Sequence, residues 1–269
     1  MNLPSFIEQG QGQSHSQVAV VFLHGIGGGK SIWGDDGSGA VRALAASGYH
    51  ALAMDFPGYG ESLNLGSPSL TGMVEAVLAL IAHLKARRCV LVGHSMGGMV
   101  AQELVAQHAG TVQGLVLTCT SPAFGKSDGA WQASFVAERL KPLDAGLGMA
   151  GMARLLVPGL VSPSATASAQ SSARAVMSEV PESTYRAALQ AIASFDQREA
   201  LARFTLPTLC LAAEHDRTAS PDVMRRMAQH IPGAEFECLA NAGHIANVEQ
   251  PAAFNAAVLS FMLRHFPPG

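Results

Sequence analysis

Charge is scarce in this sequence. Only 14% of its 269 residues are Asp, Glu, Lys or Arg, and 17 bases against 20 acids leave a net charge of −3. No run of like charge stands out, so the basic face that nucleic acid requires is missing, and no nucleic-acid partner is expected. Cysteine is equally sparse. Cys89, Cys119, Cys210 and Cys238 show no CxxC or other metal spacing, which argues against a metal site and against a disulfide framework. Each lies in or beside an apolar strand-like run, the setting of a buried free thiol. No uninterrupted apolar stretch reaches the roughly 18 residues that a bilayer span needs, so no membrane association is expected. The first 17 residues have neither the basic start nor the apolar block of a secretion signal, and the expected compartment is the cytoplasm.

What remains is apolar and regularly patterned. Hydrophobic residues make up 48% of the chain, enough for the core of one domain carrying an inserted lid, and general disorder is excluded. Short β-branched runs at 18–23, 50–54, 89–92, 114–118, 207–212 and 234–239 alternate with helical periods at 38–47, 69–86, 96–108, 221–230 and 250–265. This is the pattern of an α/β protein, a mostly parallel sheet with helices on both faces. The alternation stops between 122 and 204, where helical patterns at 129–140, 146–156, 163–178 and 182–194 follow one another without a strand. The expected division is a core of 1–121 and 205–269 and a helical cap of 122–204.

One motif carries chemistry at once. Gly93-His94-Ser95-Met96-Gly97 follows the apolar run CVLV and precedes a helical stretch, so a GxSxG sits at a strand-to-helix corner. Such a corner strains the serine backbone and lifts its hydroxyl above the sheet edge, and glycine on either side removes side chains that would clash. A serine hydroxyl is a poor nucleophile until a base takes its proton and a carboxylate orients that base. Of ten histidines, His244 is preferred because Asn241-Ala242-Gly243-His244 follows the last strand, in a loop above the same edge. His83, His108, His230 and His265 fall in helices, His15 lies in a polar tail, His50 starts a strand, and His24 and His94 sit inside other motifs. Asp216 ends LCLAAEHD one strand before His244, with Glu214 as the second choice of acid. The order Ser95, Asp216, His244 is that of an α/β-hydrolase.

Attack on a carbonyl creates an oxyanion that needs two N–H donors. His24-Gly25-Ile26-Gly27-Gly28 follows the first strong strand, and the expected donors are the backbone amides of Ile26 and Met96. The neighbouring Gly29-Lys30-Ser31 suggests the end of a phosphate loop, but His24 occupies the position of the first glycine of GxxxxGK[ST]. Lys30 likewise stands where GxGxxG needs its last glycine, so a nucleotide site is rejected. This acyl chemistry requires neither metal nor cofactor.

Together, HGIGG with Trp33, DFPGYGES at 55–62, GHSMGG, EHD and AGHIANVEQP resemble the α/β-hydrolase superfamily along nearly the whole chain. The resemblance implies Ser95 as nucleophile, His244 as base, Asp216 as acid, and Ile26 and Met96 as the oxyanion hole. Serine at the nucleophile position is unlike the aspartate of haloalkane dehalogenases and epoxide hydrolases. Within the superfamily, GHSMGGMVAQEL, LVLTCTSPAFG and FDQREALARFTLPTLCLAAEHD look most like the 3-oxoadipate enol-lactonase group. Haloperoxidase-like esterases and carbon-carbon hydrolases of meta-cleavage pathways are similar in the same segments. The implied activity is hydrolysis of an ester or lactone of a small organic acid, with enol-lactone hydrolysis in aromatic-compound breakdown as its specific form. Carbon-carbon hydrolysis, general carboxylesterase or perhydrolase activity, a cofactor-independent oxygenase or lyase, and a non-catalytic ligand-binding receptor are the alternatives. Meta-cleavage hydrolases often place tryptophan directly after the catalytic histidine, where this chain has Ile245. Trp33, Met99, Phe124, Trp131, Arg139 and Ile245 are the expected pocket walls, with Arg139, Lys126, Lys141 and Arg154 as cations available to an acidic substrate. Only 17 residues precede the first strong strand, where the family usually has a hairpin, and LPSFIEQG supplies at most one strand. About seven strands are expected.

Overall fold

A computed structural model describes residues 3–10, 17–63, 68–84, 88–125 and 129–268. Seven strands form one sheet: β1 (Phe6–Gln9), β2 (Val18–Leu23), β3 (His50–Met54), β4 (Arg88–His94), β5 (Gly114–Thr118), β6 (Thr208–Ala213) and β7 (Glu235–Leu239). Their spatial order is β1-β3-β2-β4-β5-β6-β7. All neighbours pair in parallel except β1, which runs antiparallel to β3. LPSFIEQG thus contributes the single strand that its length allowed.

Every residue of β2, β5 and β6 is buried, although successive side chains point to opposite faces, so helices cover both sides of the sheet. The covering helices are α1 (Ala40–Ala46), α2 (Leu70–Leu84), α3 (Met96–Gln107), α8 (Pro221–His230) and α10 (Pro251–His265). Among the described residues between β5 and β6 come four α-helices and no strand: α4 (Ala130–Asp144), α5 (Gly148–Leu160), α6 (Ala167–Glu179) and α7 (Glu182–Ile192). The two stems of this insertion run side by side. Phe124 N donates to Phe195 O at 2.9 Å, and Gln197 N donates to Pro122 O at 2.7 Å. α6 packs on the 3-10 turn Lys30–Trp33 and on the short α9 (Ala246–Glu249), which brings the insertion over the loops that follow β2 and β7.

The chain leaves β2 toward β3 on one side and returns to β4 on the other. The loops after β2 and β4 therefore diverge at the carboxyl edge and leave a crevice between them, the place where open α/β sheets bind ligands.

Two sequence expectations fail. Trp33 is not a pocket wall: it is fully buried, its ring 5.0 Å from Phe22 and 5.8 Å from Phe254. The 3-10 turn directs its indole into the space between β2 and α10, while the adjacent Ile32 faces the cavity. Cys89, Cys119 and Cys210 are buried free thiols, but Cys238 is exposed because β7 is the outer strand.

Candidate active site

Ser95 stands at the β4–α3 corner with φ of 51°, one of three non-glycine residues at positive φ among those described. Its neighbours make that conformation possible. A Cβ on Gly93 would lie 2.6 Å from Gly97 O, and one on Gly97 would lie 2.3 Å from Leu23 O. The strained turn is held by Ser95 N donating to Thr118 O at 3.0 Å and by Thr120 Oγ1 donating to Ser95 O at 2.8 Å.

Ser95 Oγ lies 3.0 Å from His244 Nε2, and His244 Nδ1 lies 2.9 Å from Asp216 Oδ2. An ionised carboxylate can only accept, so Nδ1 carries the ring proton and Nε2 is left to receive the proton of Ser95. Asp216 Oδ1 accepts from Thr218 N at 2.7 Å and Ala219 N at 3.0 Å. Burial pushes the Asp216 carboxyl upward, but the His244 charge and hydrogen bond and the two amides outweigh it and hold it below its usual range. Glu214 lies outside this chain: it is half-exposed and accepts from Asn241 N.

The loop after β2 lies directly against the serine, since a Cβ on Gly25 would come 3.2 Å from Ser95 Cβ. Gly25 O accepts from Gly28 N at 2.9 Å and from His24 Nδ1 at 2.8 Å. With that carbonyl pinned, the planar trans peptide fixes the Ile26 N–H on the opposite side. Tyr59 Oη donates to Ile26 O at 3.0 Å and secures the next peptide. Among the described residues, the amides of Ile26 and Met96 donate to no protein acceptor, and Met96 opens α3, whose first turn has free N–H groups.

Glu249 gives no signal in the sequence beyond its place five residues after His244. It is buried, accepting from Gly243 N at 3.0 Å and Ser162 N at 2.6 Å, while His244 N donates to Leu160 O at 2.7 Å. The loop carrying the histidine is thereby tied to the end of α5.

His94 Nε2 donates to His244 O at 2.7 Å. Burial, aided by repulsion from His244, pushes the His94 imidazole from 6.5 down to about 3. Between those pH values the unfolded chain binds a proton that the folded chain refuses, so stability falls as pH falls below 6.5. One such group costs about 1.4 kcal/mol per pH unit in that window. Denaturant unfolding of His94→Gln between pH 7 and 5 is expected to show a pH slope shallower than the parent's by about that amount. Identical slopes would mean that His94 takes up its proton as freely folded as unfolded.

A cavity of about 870 Å³ opens above Ser95 and His244. Met99, Phe124, Trp131, Arg139 and Ile245 line it, joined by Phe135, Tyr185 and Met177. The Phe124, Trp131 and Phe135 rings contact one another at 5.0–5.8 Å, and the Arg139 guanidinium sits 5.3 Å above Phe135. Of the other cations considered, Lys141 pairs with Glu138 on the surface, Arg154 is exposed outside the cavity, and Lys126 lies outside the described residues. Among the described residues no group of three or more His, Cys, Asp or Glu could hold a metal, and no helix is long and apolar enough to cross a membrane.

Known proteins are similar to this chain along most of its length. The 3-oxoadipate enol-lactonase 2 of Acinetobacter baylyi is 27% identical over 247 residues, spanning 91% of this chain and 89% of its own. A pimeloyl-[acyl-carrier protein] methyl ester esterase of Vibrio vulnificus is 28% identical over 259 residues, spanning 94% and 95%. The crystal structure of the enol-lactonase from Burkholderia xenovorans superposes with a TM-score of 0.82 at 25% identity, covering 96% of this chain and 95% of that one. The family model described as the alpha/beta hydrolase family matches residues 20–257, and the chain belongs to that family.

Proposed function

We propose that this enzyme hydrolyses a carboxylic ester or lactone of a small organic acid through an acyl-enzyme on Ser95. The observation that carries the proposal is the unbroken chain from Ser95 Oγ through His244 to Asp216, at 3.0 and 2.9 Å, at the floor of the cavity. His244 takes the serine proton as Oγ attacks the carbonyl carbon. The Ile26 and Met96 amides receive the developing negative oxygen, a role for which each donor is typically worth about a hundredfold to a thousandfold in turnover. Asp216 stabilises the imidazolium, which returns its proton to the leaving oxygen. A water deprotonated by His244 then releases the acid. In a lactone the leaving oxygen stays attached through the acyl chain, and so remains tethered to the acyl-enzyme until that second step releases a single product.

We take residues 122–204 as a cap that shapes the acyl site. Phe124, Trp131, Met99 and Ile245 form an apolar wall for an alicyclic or aromatic acyl group, and Arg139 is the half-buried cation available to its carboxylate. The enol-lactonase names among the relatives support a lactone of this kind. Ile245 directly after the base, instead of tryptophan, speaks against carbon-carbon cleavage.

A fluorophosphonate tests the proposal directly. One equivalent of adduct is expected on the peptide carrying Ser95; an unmodified protein would instead fit a binding protein on the same scaffold. Incubation with enol-lactones and with vinylogous diketones, read by product mass, is expected to give turnover of the lactones alone, and diketone cleavage would replace the lactonase reading.

A further inference from the structure

The cavity has an arm that the acyl site leaves unused. It begins at Arg217, the residue after Asp216, and runs along α8, where Val223, Arg226, Met227 and His230 line it. Their spacing of i, i+3, i+4 and i+7 places them on one stripe of the helix. Leu201, in a 3-10 turn packed against α8, and Arg198 line the cavity as well.

Charge in this arm is opposite to that of the whole protein. The chain has a net charge of −3, yet Arg139, Arg198, Arg217 and Arg226 line the cavity, and among the described lining residues Glu199 is the only carboxylate. Arg198 is engaged by Asp196. Among the described residues, neither Arg217 nor Arg226 has a carboxylate within ion-pair distance. His230 Nδ1 donates to Arg226 O at 2.7 Å, which leaves its other nitrogen unused by that bond. Size points the same way. At about 870 Å³ the cavity is near the upper end of small-molecule sites, which typically run from about 300 to 1,000 Å³, so a six-carbon lactone would leave much of it empty.

We infer that the α8 arm holds the leaving group, and that this group is an alcohol or phenol bearing an oxyanion, a carboxylate or a phosphate, received by Arg217 and Arg226. The inference rests on the ester-cleaving reading of Ser95. When the acyl C–O bond breaks, the leaving oxygen takes the proton held by His244 and departs as a hydroxyl; water later supplies the hydroxide that completes the acid. Val223 and Met227 pack against the body of the leaving group, and the planar guanidiniums match the two oxygens of its anion. Because both arginines are exposed, the attraction is expected to weaken with salt.

The test uses 4-butyryloxybenzoate and its methyl ester, which differ in charge at the far end of the leaving group. Joint replacement Arg217→Gln and Arg226→Gln is expected to lower the kcat/KM preference for the charged ester by about tenfold, through KM. In Ser95→Ala protein, calorimetry with 4-hydroxybenzoate and 4-hydroxyphenyl phosphate should show binding that salt and the two arginine substitutions weaken, and the tighter ligand names the oxyanion. An unchanged preference together with unchanged affinities overturns the inference. Binding of either anion by an enzyme that cleaves neither ester would retain the anion site and overturn its assignment to a leaving group, while absence of fluorophosphonate labelling in the same protein would separately remove the hydrolase reading.

Discussion

Ser95→Ala is expected to reduce turnover of p-nitrophenyl acetate by roughly 10⁴- to 10⁶-fold, with folding and substrate affinity nearly unchanged. The hydroxyl oxygen is the only proposed group that forms a bond to carbon, and among the described residues no other hydroxyl hydrogen-bonds to His244 Nε2. Alanine keeps the Cβ that sits against Gly25 and leaves the backbone bonds to Thr118 and Thr120 in place. The corner strain is therefore the same in both proteins, and thermal unfolding midpoints should agree within a few degrees. What survives in the variant is the residual assistance of the amides and the cavity. Activity above a tenth of the parent's in purified variant, free of contaminating esterase, would move the nucleophile elsewhere.

The parts of this site that could be read from the sequence are those where local geometry dictates residue type. A strand-to-helix corner with a serine at positive φ tolerates no Cβ at 93 or 97, and both positions are glycine. Unbroken apolar runs marked the central strands because both faces are covered, and the helical period at 221–230 coincides with α8. Long-range contacts were illegible. Glu249 acts on Ser162, 87 positions away, through backbone amides that leave no pattern in composition or periodicity. Trp33 and Ile32 are adjacent in a 3-10 turn, and only the packing of α10 decides which one faces the cavity. The α8 arm was hidden for a related reason: Arg217 and Arg226 belong to no motif, and only the fold places the cavity beside them.

The choice of acid has the second large consequence. Asp216→Asn keeps the size of the side chain and an oxygen for the Thr218 and Ala219 amides. The other atom is then an amide nitrogen, which can only donate, facing His244 Nδ1. The imidazole answers by moving its proton to Nε2, where it points at Ser95 Oγ and can no longer receive the serine proton. Loss of the favoured tautomer and of the charge that steadies the imidazolium is expected to lower kcat by about 10⁴-fold near neutral pH. Glu214→Gln, at the half-exposed runner-up position, should stay within about twofold of the parent, since its carboxylate meets Asn241 N and not the base. The comparison is decisive because the two acids are two residues apart on one loop, so a nonspecific disturbance of that loop would affect both. If Glu214→Gln shows the large loss and Asp216→Asn does not, Glu214 and not Asp216 orients the base, and the tautomer argument for Ser95 falls with that assignment.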